Sequence, residues 1–246
     1  MMISIILAAG QGTRMRPLSY FIPKILLPVR GKPVLDYLID NMRNVDVSHH
    51  YIVASENVEA IENYLEKTGK KNISTVRALG WETGGDLSIA FEEIGDSDDA
   101  IVMNGDIITD VDMGQLYRFH REHNALVSMA LLELNDEEEA RRFGQIELDK
   151  DFAITEFLEK NQSGIRKSKL VNVGFYIFSK EFISHRSEYM MPKKFKLERD
   201  LFPRLAHEHK LFGMRMDINY WWDVGTMSSY LKAEHFFINN KGIIPP

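Results

Sequence analysis

Three cationic side chains follow two closely spaced glycines near the start of the chain: Gly10 and Gly12, then Arg14, Arg16 and Lys24. Glycine lets the backbone take φ > 0 and approach a ligand closely. Successive backbone N–H groups in such a loop form a concave anion site. With mobile positive charges beside it, the stretch can cradle a polyphosphate. It can equally be a tight strand-to-helix turn carrying surface cations. Two distant carboxylates bear on that choice. Asp106 follows the apolar run Ala100–Met103 within Asn104-Gly105-Asp106, and Asp223 sits in Trp221-Trp222-Asp223-Val224-Gly225-Thr226. A carboxylate at the end of a buried strand is costly unless it is paired or holds a metal. Alone, each fits a turn or a cap. Together, beside a phosphate loop, they suit a Mg2+ shared with substrate phosphates, with Mn2+ as the expected substitute. Asp110 and Asp112 read as a turn residue and a helix cap.

Other chemistries are excluded. The chain has no cysteine, so thiol catalysis, disulfides and thiolate metal sites are out. No serine stands in a nucleophile elbow. The 8 histidines are scattered, and His207-x-His209 looks like a helix end rather than a ligand pair. A net charge of −6 argues against a general nucleic-acid or anionic-membrane surface, so phosphate binding must be local. No stretch approaches a membrane span, and no leader pattern precedes the first apolar run. A cytoplasmic protein is the expectation. Two better-known phosphate loops also fail. A dinucleotide fingerprint needs a glycine where Met15 stands, and no Gly-Lys-Ser/Thr follows Gly10.

The elements that must hold these residues can be read from periodicity. Ile3–Leu7 barely alternates and predicts a strand buried on both faces. Helical spacing follows in Pro33–Met42, in Val58, Ile61 and Leu65 with Asn57 as cap, and in Leu87, Ala90, Phe91 and Ile94. Short apolar strands lie between them at His50–Ala54, Ile73–Val76 and Ala100–Met103. Strands alternating with helices predict a parallel sheet with right-handed crossovers. Ligands of such sheets sit at the carboxyl ends of the strands, where the glycine loop and Asp106 both fall. The second half has longer strands at Ala125–Leu134, Phe143–Leu148, Ala153–Leu158 and Leu170–Phe178. A helix marked by Leu197, Leu201 and Leu205 should bend at Pro203, and a last helix should run from Thr226 to Phe237. The 246 residues then form one α/β domain. Its two lobes are residues about 1–112, which carry the glycine loop, and about 113–240, with room for a second substrate. No β-helix repeat follows.

The run Leu7-Ala8-Ala9-Gly10-x-Gly12-Thr13-Arg14-Met-Arg-Pro, with Pro23-Lys24-Ile-Leu-Leu-Pro-Val and Gly31-Lys32-Pro33, resembles the signature of the sugar-1-phosphate nucleotidylyltransferases. The resemblance extends from Ile3 to about Tyr230. It implies a mainly parallel Rossmann-like sheet, the nucleotide-diphospho-sugar transferase fold, with a mixed-strand sugar lobe. It implies that Arg14, Lys24 and Asp106 are catalytic, and that Asp106 and Asp223 hold the metal. Nucleotide binding would fall to Leu7, Ala8, Ala9, Gly10, Gly12, Thr13, Arg14, Lys24, Asp106, and Thr83, Gly84 and Gly85 of a segment that cups the base. Phe157-Leu158-Glu159-Lys160 resembles the sugar-phosphate motif, here with Asn161 in place of a proline. Lys160 would meet the phosphate and Glu159 the sugar hydroxyls. Asn172-Val173-Gly174 resembles the Asn-x-Gly that holds a sugar hydroxyl. Gly144 matches the glycine of a Tyr-Gly pair, with Phe143 for the tyrosine, and Glu198-Arg199-Asp200 resembles a Glu-x-Asp segment near the sugar.

The implied reaction is attack of a sugar 1-phosphate on the α-phosphorus of an NTP, with pyrophosphate leaving. The nucleophile is already an anion, so the lack of a catalytic base fits. Ala8-Ala9-Gly10 looks like the pyrimidine-using members, so the expected substrates are UTP or dTTP with a hexose 1-phosphate. Glu82 replaces a family glycine. It reads as a solvent-facing helix-end residue, although its carboxylate would suit the N1–H and N2–H edge of guanine. The alternative is therefore a mannose-1-phosphate guanylyltransferase using GTP. Rivals of another class are a catalytically inactive regulatory subunit and a glycosyltransferase with a nucleotide-sugar donor. A homo-oligomer is left open.

Overall fold

The computed structural model describes residues 1–96, 98–136, 140, 143–158 and 168–239. The first strands are β1 (Met2–Leu7), β2 (Pro28–Val29), β3 (Lys32–Pro33), β4 (Val47–Ala54), β5 (Ile73–Arg77), β6 (Ala100–Asn104) and β7 (Ile107–Thr109). Helices α1 (Val34–Asp40), α2 (Val58–Thr68), α3 (Glu82–Ile94) and α4 (Met113–Glu122) alternate with them. Then come β8 (Val127–Glu133), β9 (Gln145–Leu148), β10 (Ile154–Leu158), β11 (Leu170–Phe178), β12 (Leu211–Arg215) and β13 (Trp221–Asp223). The last helix is Met227–Asn239. No helix is long and apolar enough to cross a membrane among the described residues.

The parallel half follows the sequence pattern. Strands β5, β4, β1 and β6 lie side by side, each pair parallel. Ile5 and Ile6 of β1 are both fully buried, in different core clusters on the two sides of the sheet. That explains why β1 does not alternate. The longer second-half strands do not form a separate layer. β11 runs antiparallel beside β6 and carries β8 and β9 onward, so one 9-stranded sheet contains both halves.

Two local expectations are corrected. Asn57 precedes α2 with φ 56 and makes no side-chain cap bond. Its left-handed backbone, which asparagine tolerates, starts the helix instead. The helix expected over Leu197–Leu205 divides into a π-helical turn, Leu197–Leu201, and an α-helix, Phe202–His207, with Pro203 in its first turn. Proline is tolerated there because its missing N–H would be unpaired anyway. Thr226 does cap the last helix: its Oγ1 accepts from Ser229 N at 3.1 Å. Asp112 caps α4 through Gln115 N at 3.1 Å. Asp110 accepts from Asn219 N at 3.0 Å, which braces the turn before β13.

One core histidine carries a pH expectation. His120 is buried, and its Nδ1 lies 2.8 Å from Ser128 Oγ. Burial holds its pKa down to about 4, against the opposing pull of Asp99 and with help from Arg121. The folded protein therefore keeps a neutral ring where the unfolded chain, near 6.5, would take a proton. Its contribution is full above pH 6.5 and is lost as pH falls toward about 4. Denaturant unfolding from pH 7 down to 4 should show a shallower fall in stability for His120→Gln than for wild type. Equal slopes would remove His120 from the acid response.

Candidate active site

The glycine loop leaves β1 at its carboxyl end. Ala8 N bonds to Val53 O at 2.8 Å, and Gly105 N bonds to Leu7 O at 2.9 Å. These bonds set the loop between β4 and β6. Gly12 has φ 60, and a Cβ there would stand 3.0 Å from Ser19 Cβ and 3.3 Å from Lys24 Cγ. The left-handed backbone and the close side chains together favour glycine at that crossing. A short 3-10 turn, Thr13–Met15, follows, with Met15 buried as the anchor. Arg14 and Lys24 are thereby turned toward the end of β6.

Asp106 and Asp223 are brought together by a two-stranded ribbon. β13 pairs antiparallel with β7, with Asp223 opposite Ile107, and Val224 N bonds to Asp106 O at 2.8 Å. The two carboxylates are thus about one rung apart, from positions more than a hundred residues distant. Asp106 Oδ2 accepts from Lys24 Nζ at 2.6 Å. Asp223 Oδ1 accepts from Gly225 N at 2.6 Å. The point where a Gly225 Cβ would stand lies 2.6 Å from Asp223 Oδ1, 3.4 Å from Asp106 Oδ2 and 3.4 Å from Arg14 Nη2. A side chain there would fill the space between the carboxylates.

That donor set fits a hard divalent cation. Two carboxylates face one gap kept open by a glycine, and no cluster of three or more His, Asp or Glu exists among the described residues to hold a metal by itself. Mg2+ is commonly held by one or two carboxylates with substrate phosphates and water in the remaining positions.

Two cavities meet at this point. One, of about 510 Å3, is lined by the glycine loop with Gly80, Glu82, Thr83, Asp86 and Lys194. The other, of about 280 Å3, includes Asn104, Asp106, Phe143, Asn172, Gly174, Glu198, Trp221 and Asp223. Leu7, Gly10, Arg14, Lys24 and Thr83 line both. Ala9, Gly12 and Thr13 line the first, and Ala8 the second.

Other residues singled out from the sequence take varied places. Asn172 and Gly174 lie where β11 breaks register against β8, with Gly174 at φ 89. Gly174 N donates to Asn172 Oδ1 at 2.8 Å. Phe143 packs edge-on against Trp221, ring centroids 4.7 Å apart, and Gly144 beside it has φ 86. Gly84 and Gly85 are absent from both linings. Their N–H groups bond to Phe195 O at 3.1 and 3.2 Å, and a Cβ at Gly84 would overlap the Phe195 ring. These glycines admit the 193–195 segment onto the start of α3. Glu159 and Lys160 lie outside the described residues.

Two residues beside the site, Tyr176 and Asp86, are marked by no sequence motif, and Thr83 and Glu198 act as a pair. Tyr176 is fully buried, its hydroxyl bonded by Asn172 Nδ2 at 2.8 Å. Burial, with the Glu198 charge near, raises its pKa well above the usual tyrosine value. Asn172, Gly174 and Tyr176 alternate along one strand, and that period was the available signal. Thr83 Oγ1 donates to Glu198 Oε2 at 2.8 Å and accepts from Leu197 N at 3.1 Å, tying α3 to the π-helical turn. Asp86 is buried and accepts from Trp81 N at 2.8 Å, which fixes the turn before α3. Burial raises its pKa against those backbone bonds.

An open α/β sheet with a cationic glycine loop at one strand end and paired carboxylates at the next belongs to a definite class. Residues 3–240 match the nucleotidyl transferase family, and the chain belongs to it. The mannose-1-phosphate guanylyltransferase of Mycobacterium tuberculosis (strain ATCC 25618 / H37Rv) is 28% identical, covering 98% of this chain and 66% of that protein. HddC from Yersinia pseudotuberculosis, complexed with GMP-PN, superimposes with a TM-score of 0.73 at 26% identity, covering 96% of this chain and 100% of HddC. A UDP-glucose pyrophosphorylase complexed with UDP-glucose gives a TM-score of 0.81 at 21% identity, covering 98% of this chain and 100% of that one. At that identity the likeness is one of fold. The chain spans just under two thirds of the length of the curated relatives it matches.

Proposed function

We propose that this protein transfers a nucleotidyl group from a nucleoside triphosphate to a sugar 1-phosphate. A sugar-phosphate oxygen forms a bond to the α-phosphorus, the α–β bridging bond breaks, and pyrophosphate leaves with the electron pair. The observation that carries this reading is the convergence of Arg14, Lys24, Asp106 and Asp223 where two cavities meet. The larger cavity suits the triphosphate and its nucleoside, and the smaller one the sugar phosphate. No side chain has to remove a proton, because the attacking phosphate is already ionised. What remains is alignment and neutralisation of charge.

Asp106 and Asp223 would hold Mg2+, or Mn2+ in its place. When bound, the cation supplies charge neutralisation for the triphosphate. Arg14 and Lys24 hold the phosphate oxygens. Asn172 and Gly174 receive the sugar, with Gly144 near, and Lys160 and Glu159 are assigned its phosphate and hydroxyls by motif. Mannose-1-phosphate guanylyltransferases recur among the matched relatives, so GTP stands as an alternative beside the UTP or dTTP suggested by Ala8-Ala9, with a hexose 1-phosphate in either case. The test is pyrophosphate release from a matrix of GTP, UTP, dTTP, CTP and ATP against mannose, glucose and other sugar 1-phosphates. One pair should exceed the rest by about tenfold or more, the scale of one polar contact. No release from any pair, with Mg2+ and with Mn2+, would sink the proposal.

A further inference from the structure

Glu82 is an outlier of backbone as well as of type. Among the described non-glycine residues with positive φ, it alone lines the cavity that also holds the glycine loop. Its φ is 66, a left-handed conformation that costs energy for any residue with a Cβ and that glycine adopts freely. A strained residue at a cavity wall points to use of its side chain. The solvent-facing helix-end reading gives no reason for carrying that strain.

The side chain itself is exposed at the cavity rim, flanked by two lysines. Lys194 Nζ lies 3.9 Å from one carboxylate oxygen, and Lys196 Nζ 4.0 Å from the other. Those distances are attractive but exceed a hydrogen bond. At those distances neither lysine consumes the acceptor positions of the carboxylate. Lys194 lines the same cavity. Arg14 and Lys24 mark the phosphate end of that cavity, so Gly80, Glu82, Asp86 and Lys194 mark the end left for the base.

Resting on the proposed nucleotidyl transfer, we infer that Glu82 and Lys194 read the base, and that the base is guanine. Guanine presents two adjacent donors, N1–H and N2–H, followed by the acceptor O6. A carboxylate takes the two donors, and an ammonium beside it takes O6. Uracil and thymine offer one donor flanked by two carbonyls, which repel the carboxylate. Adenine and cytosine offer no second donor beside the first. Charge-assisted hydrogen bonds of this kind are among the stronger ones.

The experiment compares GTP, ITP and UTP by calorimetric Kd and, where turnover occurs, by kcat/KM. Wild type, Glu82→Gly, Glu82→Gln and Lys194→Met are used. ITP keeps N1–H and O6 but lacks the N2 amine. Wild type should prefer GTP to ITP by about tenfold or more, the scale of one hydrogen bond to a charged group. Glu82→Gly should reduce that ratio to within about threefold, while its melting temperature holds or rises because the strain is relieved. Lys194→Met should weaken GTP and ITP alike and leave their ratio standing. A GTP/ITP ratio that survives Glu82→Gly, or a wild-type preference for UTP, overturns the inference. Binding is read without turnover, so absent pyrophosphate release with an intact GTP/ITP pattern would fault the proposed reaction and not the base reader.

Discussion

Asp106→Asn and Asp223→Asn should each lower kcat by about two orders of magnitude or more, the scale of removing a fixed charge from a phosphoryl-transfer site. Both substitutions preserve shape. Asp106 keeps its backbone bond from Val224 N, and an Asn at 223 can still accept from Gly225 N. Unfolding midpoints should therefore stay close to wild type, separating loss of chemistry from loss of fold. Activity should also vanish on chelation with EDTA and return with Mg2+ or Mn2+. In each variant the cation needed for half-maximal rate should rise. Full activity in Asp223→Asn would remove Asp223 from the cation site. Full activity after chelation would remove the cation.

Lys24→Ala and Arg14→Ala should cut kcat by about a hundredfold, with smaller changes in KM for NTP, because charge builds on the departing pyrophosphate. Lys24 has a second effect. Its ammonium occupies Asp106 Oδ2 at 2.6 Å, where a cation would compete for the same oxygen. Lys24→Ala should therefore lower the Mg2+ concentration required, even as the maximal rate drops. Arg14→Ala should not. Lys160→Ala supplies the contrast, raising KM for the sugar 1-phosphate more than for NTP. If the Lys24 and Lys160 variants shift both constants alike, the assignment of the two lysines to different phosphates fails.

The glycine loop and the parallel half were legible because their physics is local. β1 shows burial on both faces as an apolar run broken only by Ser4, and φ 60 at Gly12 favours the glycine seen there. Asp106 and Asp223 could be named as partners, but not the means of their meeting. The β7–β13 ribbon joins three-residue strands distant in sequence, and such short segments leave no periodic trace. The same holds for the continuous sheet. Nothing in β11 alone says that it will lie against β6 rather than start a separate layer. Gly84 and Gly85 show a different limit. A glycine pair before a helix reads as room for a ligand, whereas the structure fills that room with Phe195 and the Lys193 carbonyl. Glu82 shows a third. Its type was visible as a departure from a motif, but its left-handed backbone and its two lysine neighbours arise only in the fold.

The β7–β13 ribbon also sets an order of events during biosynthesis. As the chain leaves the ribosome, the loop after β1, Lys24 and Asp106 all emerge within its first half. They can assemble on the parallel strands early. Asp223 arrives more than a hundred residues later, and only the closing of a three-residue strand against Ile107–Thr109 brings it beside Asp106. The paired carboxylates are thus the last part of the candidate site to be completed, and a chain stalled short of Trp221 would lack the second of them.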